Sequence, residues 1–180
     1  MADIFPFQAY RYNSQRVRPA DVLTQPYDKI TPAMQQRYAR SSPHNLITVE
    51  KGESRPSDSP SDSVYTRAEQ ALKQWIAEGI LVRDASPGIY VYSQEYPVPG
   101  ANERRTRSGF IALGRVEDYS AGVVFRHEHT MTGPKADRLE LLRHTRTHTG
   151  QLFMLYTDPR RSVDTLLGAA ASGAAPVEAR

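Results

Sequence analysis

Prolines punctuate this 180-residue chain thirteen times and glycines eleven times, and this scatter of breakers is what most limits its fold. Proline cannot donate to a helix or sheet ladder, and glycine costs backbone entropy in either. The chain must therefore fold as many short elements joined by turns, not as a bundle of long helices. Hydrophobic residues make up 39% of it and charged residues 24%, the range of one ordinary globular domain with enough apolar material for a packed core. No stretch nears the roughly 20 apolar residues of a membrane span. The Met-Ala-Asp start carries neither a basic nor an apolar leader, so a cytoplasmic protein with no membrane contact is expected.

Cysteine is absent, which removes disulfides, thiolate metal sites, cysteine nucleophiles and thiol redox switching together. The formal charge is only +3, but it is carried mostly by arginine, because lysine occurs just at Lys29, Lys51, Lys73 and Lys135. The planar guanidinium suits phosphate and carboxylate, so an anionic ligand fits this composition. Net charge alone does not choose between nucleotide, nucleic acid and solubility.

Along the chain, Ile4 to Tyr12 is aromatic-rich and interrupted by Pro6, which suits an edge strand followed by a turn. Residues 25–30 read as an extended loop. Thr31 before Pro32 forms an N-cap and first-turn pair for a helix ending near Ser41-Ser42-Pro43, and Leu46-Ile47-Thr48-Val49 reads as a strand. The segment 52–63 is too polar to bury and rich in turn formers, a surface loop. Val64, Ala68, Ala71, Leu72, Trp75 and Ile76 then recur at helical spacing up to a Gly79 C-cap. Residues 89–96 and 109–116 read as the two strands of a hairpin, the second being the more central. A helix is expected from Pro134 to about Arg146, a buried strand over Leu152–Tyr156, and an amphipathic helix beginning at Val163, Leu166 and Leu167. The expected fold is α+β (mixed α/β): a single domain over residues 1–168 with a mainly antiparallel sheet flanked by short helices, then an alanine-rich tail over 169–180.

Four of the five histidines fall between His127 and His148. If Phe125–Thr130 is extended, His127 and His129 share one face and Glu128 takes the other, so the imidazoles could bind a metal or flank a reacting group. The bland alternative has them bonding loop carbonyls, with His144 and His148 favoured at a helix C-terminus by its dipole. Just downstream, Gly133 and Pro134 open a helix whose N–H groups could face an anion, with Thr130, Thr132, Lys135 and Arg138 around the positive end. That set suits phosphate better than a neutral ligand, although Gly-Pro before a helix is also an ordinary turn. Arg104-Arg105-Thr106-Arg107 is either a solvated strand end or a nucleic-acid contact, the former being favoured. Neither a Walker loop, a dinucleotide fingerprint, His-Glu-x-x-His nor Gly-x-Ser-x-Gly occurs.

Taken together, residues 6–12, 25–30, 42–46 and 109–113, and above all Arg126-His127-Glu128-His129-Thr130 with Gly133-Pro134-Lys135 and Asp137-Arg138-Leu139, resemble the N-terminal part of the domain-of-unknown-function family 1015. Members of this family have often been labelled ParB-like. Full-length members continue into a segment with an Asp-Gly-His-His-Arg-Tyr motif similar to that of ParB-related free serine kinases, and that motif is absent here. The resemblance implies ATP-dependent phosphoryl transfer to a small hydroxyl substrate, with ATP or ADP and Mg²⁺ as cofactors. Thr130, Thr132, Gly133, Lys135 and Arg138 would then hold phosphates, and Glu128, His127 or His129 would take the hydroxyl proton. It also implies that this chain is inactive without a C-terminal part. A ParB-like nucleic-acid-binding module and a non-catalytic domain that packs on a C-terminal domain or partner chain are the alternatives.

Overall fold

The computed structural model describes residues 2–126 and 131–173. The backbone divides into two compact units: Ala9–Asp84 with Arg126–Gly150, and Met1–Gln8 with Ala85–Phe125 and Gln151–Arg180. The class is α+β, and every strand ladder is antiparallel and two-stranded.

The first, helical unit holds β2 (Tyr10–Tyr12), α1 (Pro19–Val22), α2 (Pro32–Ser41), α3 (Ile47–Glu50), α4 (Val64–Ala77), β3 (Leu81–Arg83) and α5 (Thr132–Thr145), β1 being in the other unit. Its organising element is α4. Ser63 Oγ accepts from the Thr66 N–H at 3.3 Å while Thr66 Oγ1 takes the Ser63 N–H at 2.7 Å, a reciprocal cap that starts the helix. Ala68, Leu72 and Trp75 lie along one face and are buried with Val49, Ile80, Leu81 and Leu141, bringing α3, β3 and α5 onto one core. Gly79, at φ 68°, ends the helix. The Ile80 N–H bonds to Trp75 O at 2.8 Å and the Gly79 N–H to Ile76 O at 3.1 Å, the paired bonds of a left-handed C-terminal cap that turns the chain into β3. That strand pairs with β2, placing Arg11 beside Asp84 at 2.5 Å.

Thr31 and Pro32 open α2 as expected, Thr31 Oγ1 accepting from the Met34 N–H at 3.3 Å. The expected strand at Leu46–Val49 is instead helical, α3. Its β-branched residues favour a strand locally, but Asn45, fully buried, overrides them. The Asn45 carboxamide accepts from the Ile47 N–H at 2.9 Å and donates to Asp21 O at 2.8 Å, and the Leu46 N–H reaches Val22 O at 2.7 Å. These bonds tie the turn to α1 and leave the next four residues a helical path. Residues 25–30, expected as a loop, contain one 3₁₀ turn at Tyr27–Lys29.

The second unit holds β1 (Ile4–Phe5), β4 (Tyr90–Pro97), β5 (Arg104–Ile111), β6 (Leu113–Gly114) and α6 (Ser162–Ser172). The expected hairpin is present as β4–β5, in register from Tyr90↔Ile111 to Pro97↔Arg104. Residues 109–116 are not a central strand: β5 ends at Ile111, and β6 pairs separately with β1. The buried strand expected at Leu152–Tyr156 is also absent. The segment runs beside β5, with Arg107 over the Phe153 ring at 4.9 Å and Phe110 against Tyr156 at 5.7 Å, yet it forms no ladder, and Leu152 and Leu155 are 89% and 80% exposed. Asp158 opens α6 by accepting from the N–H groups of Ser162, Val163 and Asp164. This helix carries the first part of the alanine-rich stretch; residues 174–180 lie outside those described.

Candidate functional site

Of the residues expected to form a site, His127, Glu128, His129 and Thr130 lie outside the described residues. The remainder fall on α5, which begins two residues before Pro134. Met131 precedes it in an extended conformation and supplies no side-chain cap; Pro134 has no N–H and the Lys135 N–H bonds Met131 O at 3.3 Å, which leaves the N–H groups of Thr132 and Gly133 without a side-chain acceptor among the described residues. Thr132, Gly133 and Lys135 are exposed on that turn. A Cβ built at Gly133 would meet nothing within 4 Å among the described residues, so none of these requires glycine at this place.

Arg138 is set apart from that group. Its Nη1 bonds Glu50 Oε2 at 3.0 Å and its Nη2 bonds the Glu50 carbonyl at 2.9 Å, while Asp137 Oδ2 accepts from both Nε and Nη2. The guanidinium also lies over the Tyr27 ring, 4.4 Å from its centre. The other Asp137 oxygen accepts from the Tyr65 hydroxyl at 2.9 Å, and the Tyr65 ring stacks on His144 at 5.6 Å. The Tyr27 turn, the end of α3 and the second turn of α5 thus meet at one guanidinium, and Asp137 carries the contact on to Tyr65 at the start of α4. Burial, and then the Asp137 carboxylate, raise the Tyr65 hydroxyl above its usual pKa, so it remains a donor. His144, whose Nδ1 sits 2.9 Å from Glu140 O, belongs to the packing of α5 on α4.

Glu50 is the residue that sequence reasoning missed. Its side chain is only 9% exposed, one oxygen holds Arg138, and Oε1 is buried with no hydrogen-bond partner among the described residues. A buried, half-satisfied carboxylate is costly unless it takes a further donor, and a water, a ligand hydroxyl or an ammonium would serve. The signal was present in the charged pair Glu50-Lys51 following an apolar run; read as a strand end, it gave no reason to bury the acid. Lys51 faces the other way, its ammonium donating to the carbonyls of Ile30 at 2.8 Å and Tyr27 at 3.3 Å. Among the described residues no group of three His, Asp or Glu side chains is placed to hold a metal ion.

The arginine run already has neighbours: Arg104 pairs with Glu95 and Arg107 bonds Gln94 at 2.6 Å across the hairpin, while Arg105 pairs with Glu103, two residues earlier in the chain, at 2.9 Å. No helix among the described residues is long and apolar enough to cross a membrane.

The family model described as "Protein of unknown function (DUF1015)" matches residues 4–179. No curated protein and no solved structure matches the chain.

Proposed function

The chain belongs to the DUF1015 family, and from that premise we propose that it is the phosphate-binding part of a nucleotide-dependent kinase acting on a small hydroxyl compound. The observation that carries this reading is the start of α5, where N–H groups without a side-chain cap stand beside the exposed Lys135. Such a helix end attracts phosphate oxygens through its oriented N–H groups and its dipole, and an adjacent ammonium adds charge. Arg138 anchors this helix on Glu50 and leaves Lys135 and Thr132 to meet the anion. The unpartnered oxygen of Glu50 supports a donor-bearing substrate such as a hydroxyl compound. Mg²⁺ would arrive with the nucleotide, held largely by phosphate oxygens. Glu128, flanked by His127 and His129, is the proposed acceptor of the hydroxyl proton, and Thr130 a further phosphate donor. Calorimetry with ATP, ADP and Mg²⁺ tests the reading: nucleotide binding that disappears in Lys135→Ala supports it, and unchanged affinity in that variant removes it.

A second reading, a domain that packs against a partner, draws on the other unit. Among the described residues all the buried hydrophobic side chains belong to the helical unit, whereas the other unit exposes Leu152, Phe153, Leu155, Leu166 and Phe125 by 69% or more. A chain that stays monomeric and binds no partner through this face would count against it. The nucleic-acid reading draws less support, since each arginine of the 104–107 run already has a neighbour; salt-insensitive or absent DNA binding would remove it.

A further inference from the structure

On the helical unit, α2, α3, the 52–63 segment and the first turn of α4 enclose an open-sided cavity of about 490 Å³. Its apolar lining includes Ile47 and Val64. Gly52 closes one corner: a Cβ there would lie 3.0 Å from Thr48 O, so any larger residue would push the backbone apart. The charged lining is Arg40, Lys51, Arg55 and Arg67, against Glu53 alone.

These four cations differ in what already occupies them. Lys51 donates to the Tyr27 and Ile30 carbonyls. Arg67 clasps the 52–63 segment, bonding Asp58 at 2.8 Å, Asp62 at 2.7 Å and Glu53 O at 2.9 Å. The Arg40 and Arg55 guanidiniums have no side-chain hydrogen bond or close ion pair among the described residues, although the Arg55 charge is felt by Asp58, and both residues are exposed. A cavity of this volume lies in the range of small-molecule sites. Apolar lining beside two exposed guanidiniums, Arg40 and Arg55, neither of them closed in a hydrogen-bonded ion pair among the described residues, matches a molecule with a short carbon skeleton and a doubly charged head group.

We propose that this cavity binds a small organic phosphate, the Ile47 and Val64 side taking the carbon skeleton and Arg40 with Arg55 taking the phosphate dianion. No residue of α5 lines it, so the site stands independently of the nucleotide reading.

Calorimetry of the full chain with glycerol 3-phosphate, and separately with inorganic phosphate, tests this. The expected result is tighter binding of the ester than of the free ion. Arg40→Ala and Arg55→Ala should each weaken it by about tenfold, the loss of one charge-assisted contact, while Lys135→Ala leaves it unchanged. Should Arg55→Ala loosen the 52–63 segment, Arg40→Ala, on a helix, carries the test alone. Absence of heat with both probes, or wild-type affinity in the arginine variants, overturns the proposal. Equal affinity for the two probes overturns the organic ligand, and a loss in Lys135→Ala moves the site to α5 and likewise overturns it.

Discussion

Arg138 and Glu50 lie 88 residues apart in the chain and meet at 3.0 Å, the arginine also taking the glutamate's own carbonyl. One side chain thereby grips both ends of the residue that closes α3, and α5 is fixed to the α3–α4 layer by a contact that no local pattern announces. Because Glu50 is 9% exposed and Arg138 28% exposed, the pair sits in the regime where removing one partner costs far more than the pair contributes net.

Arg138→Ala is therefore expected to destabilise the chain by about 3 kcal/mol, the cost of a buried carboxylate left without its counter-charge. Arg138→Lys should recover only part of this, since an ammonium cannot hold two oxygens of Glu50 and one of Asp137 in a plane. Urea unfolding of the two variants measures both. A loss below about 1 kcal/mol for the alanine would mean the contact behaves as a surface pair.

Two glycines give opposite expectations. Gly79 has φ 68° and closes α4, so Gly79→Ala forces a Cβ into the left-handed region at about 1–2 kcal/mol. Gly133 lies inside the first turn of α5 with no described residue within reach of an added Cβ, so Gly133→Ala should leave stability unchanged or raise it by up to about 1 kcal/mol. Thermal unfolding separates the two. If Gly133→Ala folds well yet loses nucleotide, the glycine is there to let an anion approach the backbone; if it binds as before, that role is gone.

The contrast between legible and illegible elements follows from how local their causes are. The helix α4 could be read directly because its cap, its apolar stripe and its terminating glycine all lie within Ser63–Gly79. The helix α3 could not, because its conformation depends on the side chain of Asn45 reaching α1. The apolar run 152–156 reads as a buried strand, but hydrophobicity implies burial only where a covering surface exists, and the Arg107 and Phe110 contacts from β5 leave Leu152 and Leu155 largely exposed. In the candidate site the α5 start was anticipated from Gly133, Pro134 and Lys135. Arg138 reads from the sequence as a phosphate holder, whereas its guanidinium is engaged by Glu50 and Asp137; Glu50 cannot be named as its partner from spacing, since it comes from the far side of a 14-residue helix and a polar loop.

The clasp on the 52–63 segment makes it sensitive to acid. The Arg67 hydrogen bond, aided by the Arg55 N–H, holds the Asp58 carboxyl below its ordinary value, against a smaller opposing effect of burial. A group whose folded pKa is depressed contributes to stability above its unfolded pKa, about 3.9, and that contribution is lost as pH falls through the folded value. The segment should therefore stay fastened at neutral pH and loosen only below about pH 4. A carbon-13 NMR titration of the Asp58 carboxyl should give a midpoint below that of a free aspartate, returning to it in Arg67→Ala. An ordinary midpoint in the wild-type chain would show that the clasp is not closed in solution.

The exposed run of the second unit yields the sharpest expectation. Leu155 is 80% exposed, so Leu155→Asp removes almost no buried surface and should change unfolding stability by no more than about 0.5 kcal/mol. In a strand buried as the sequence pattern suggests, the same change would strand a charge in apolar surroundings and cost several kcal/mol. Measuring both stability and sedimentation over a range of protein concentration separates three situations. An unchanged monomer means that this face is solvated in the chain alone and open to a partner. A wild-type chain that associates, and a variant that does not, means that copies of the chain cover one another there. A large loss of stability in a monomer would mean that the run is buried within its own chain, and the partner-packing reading would fall.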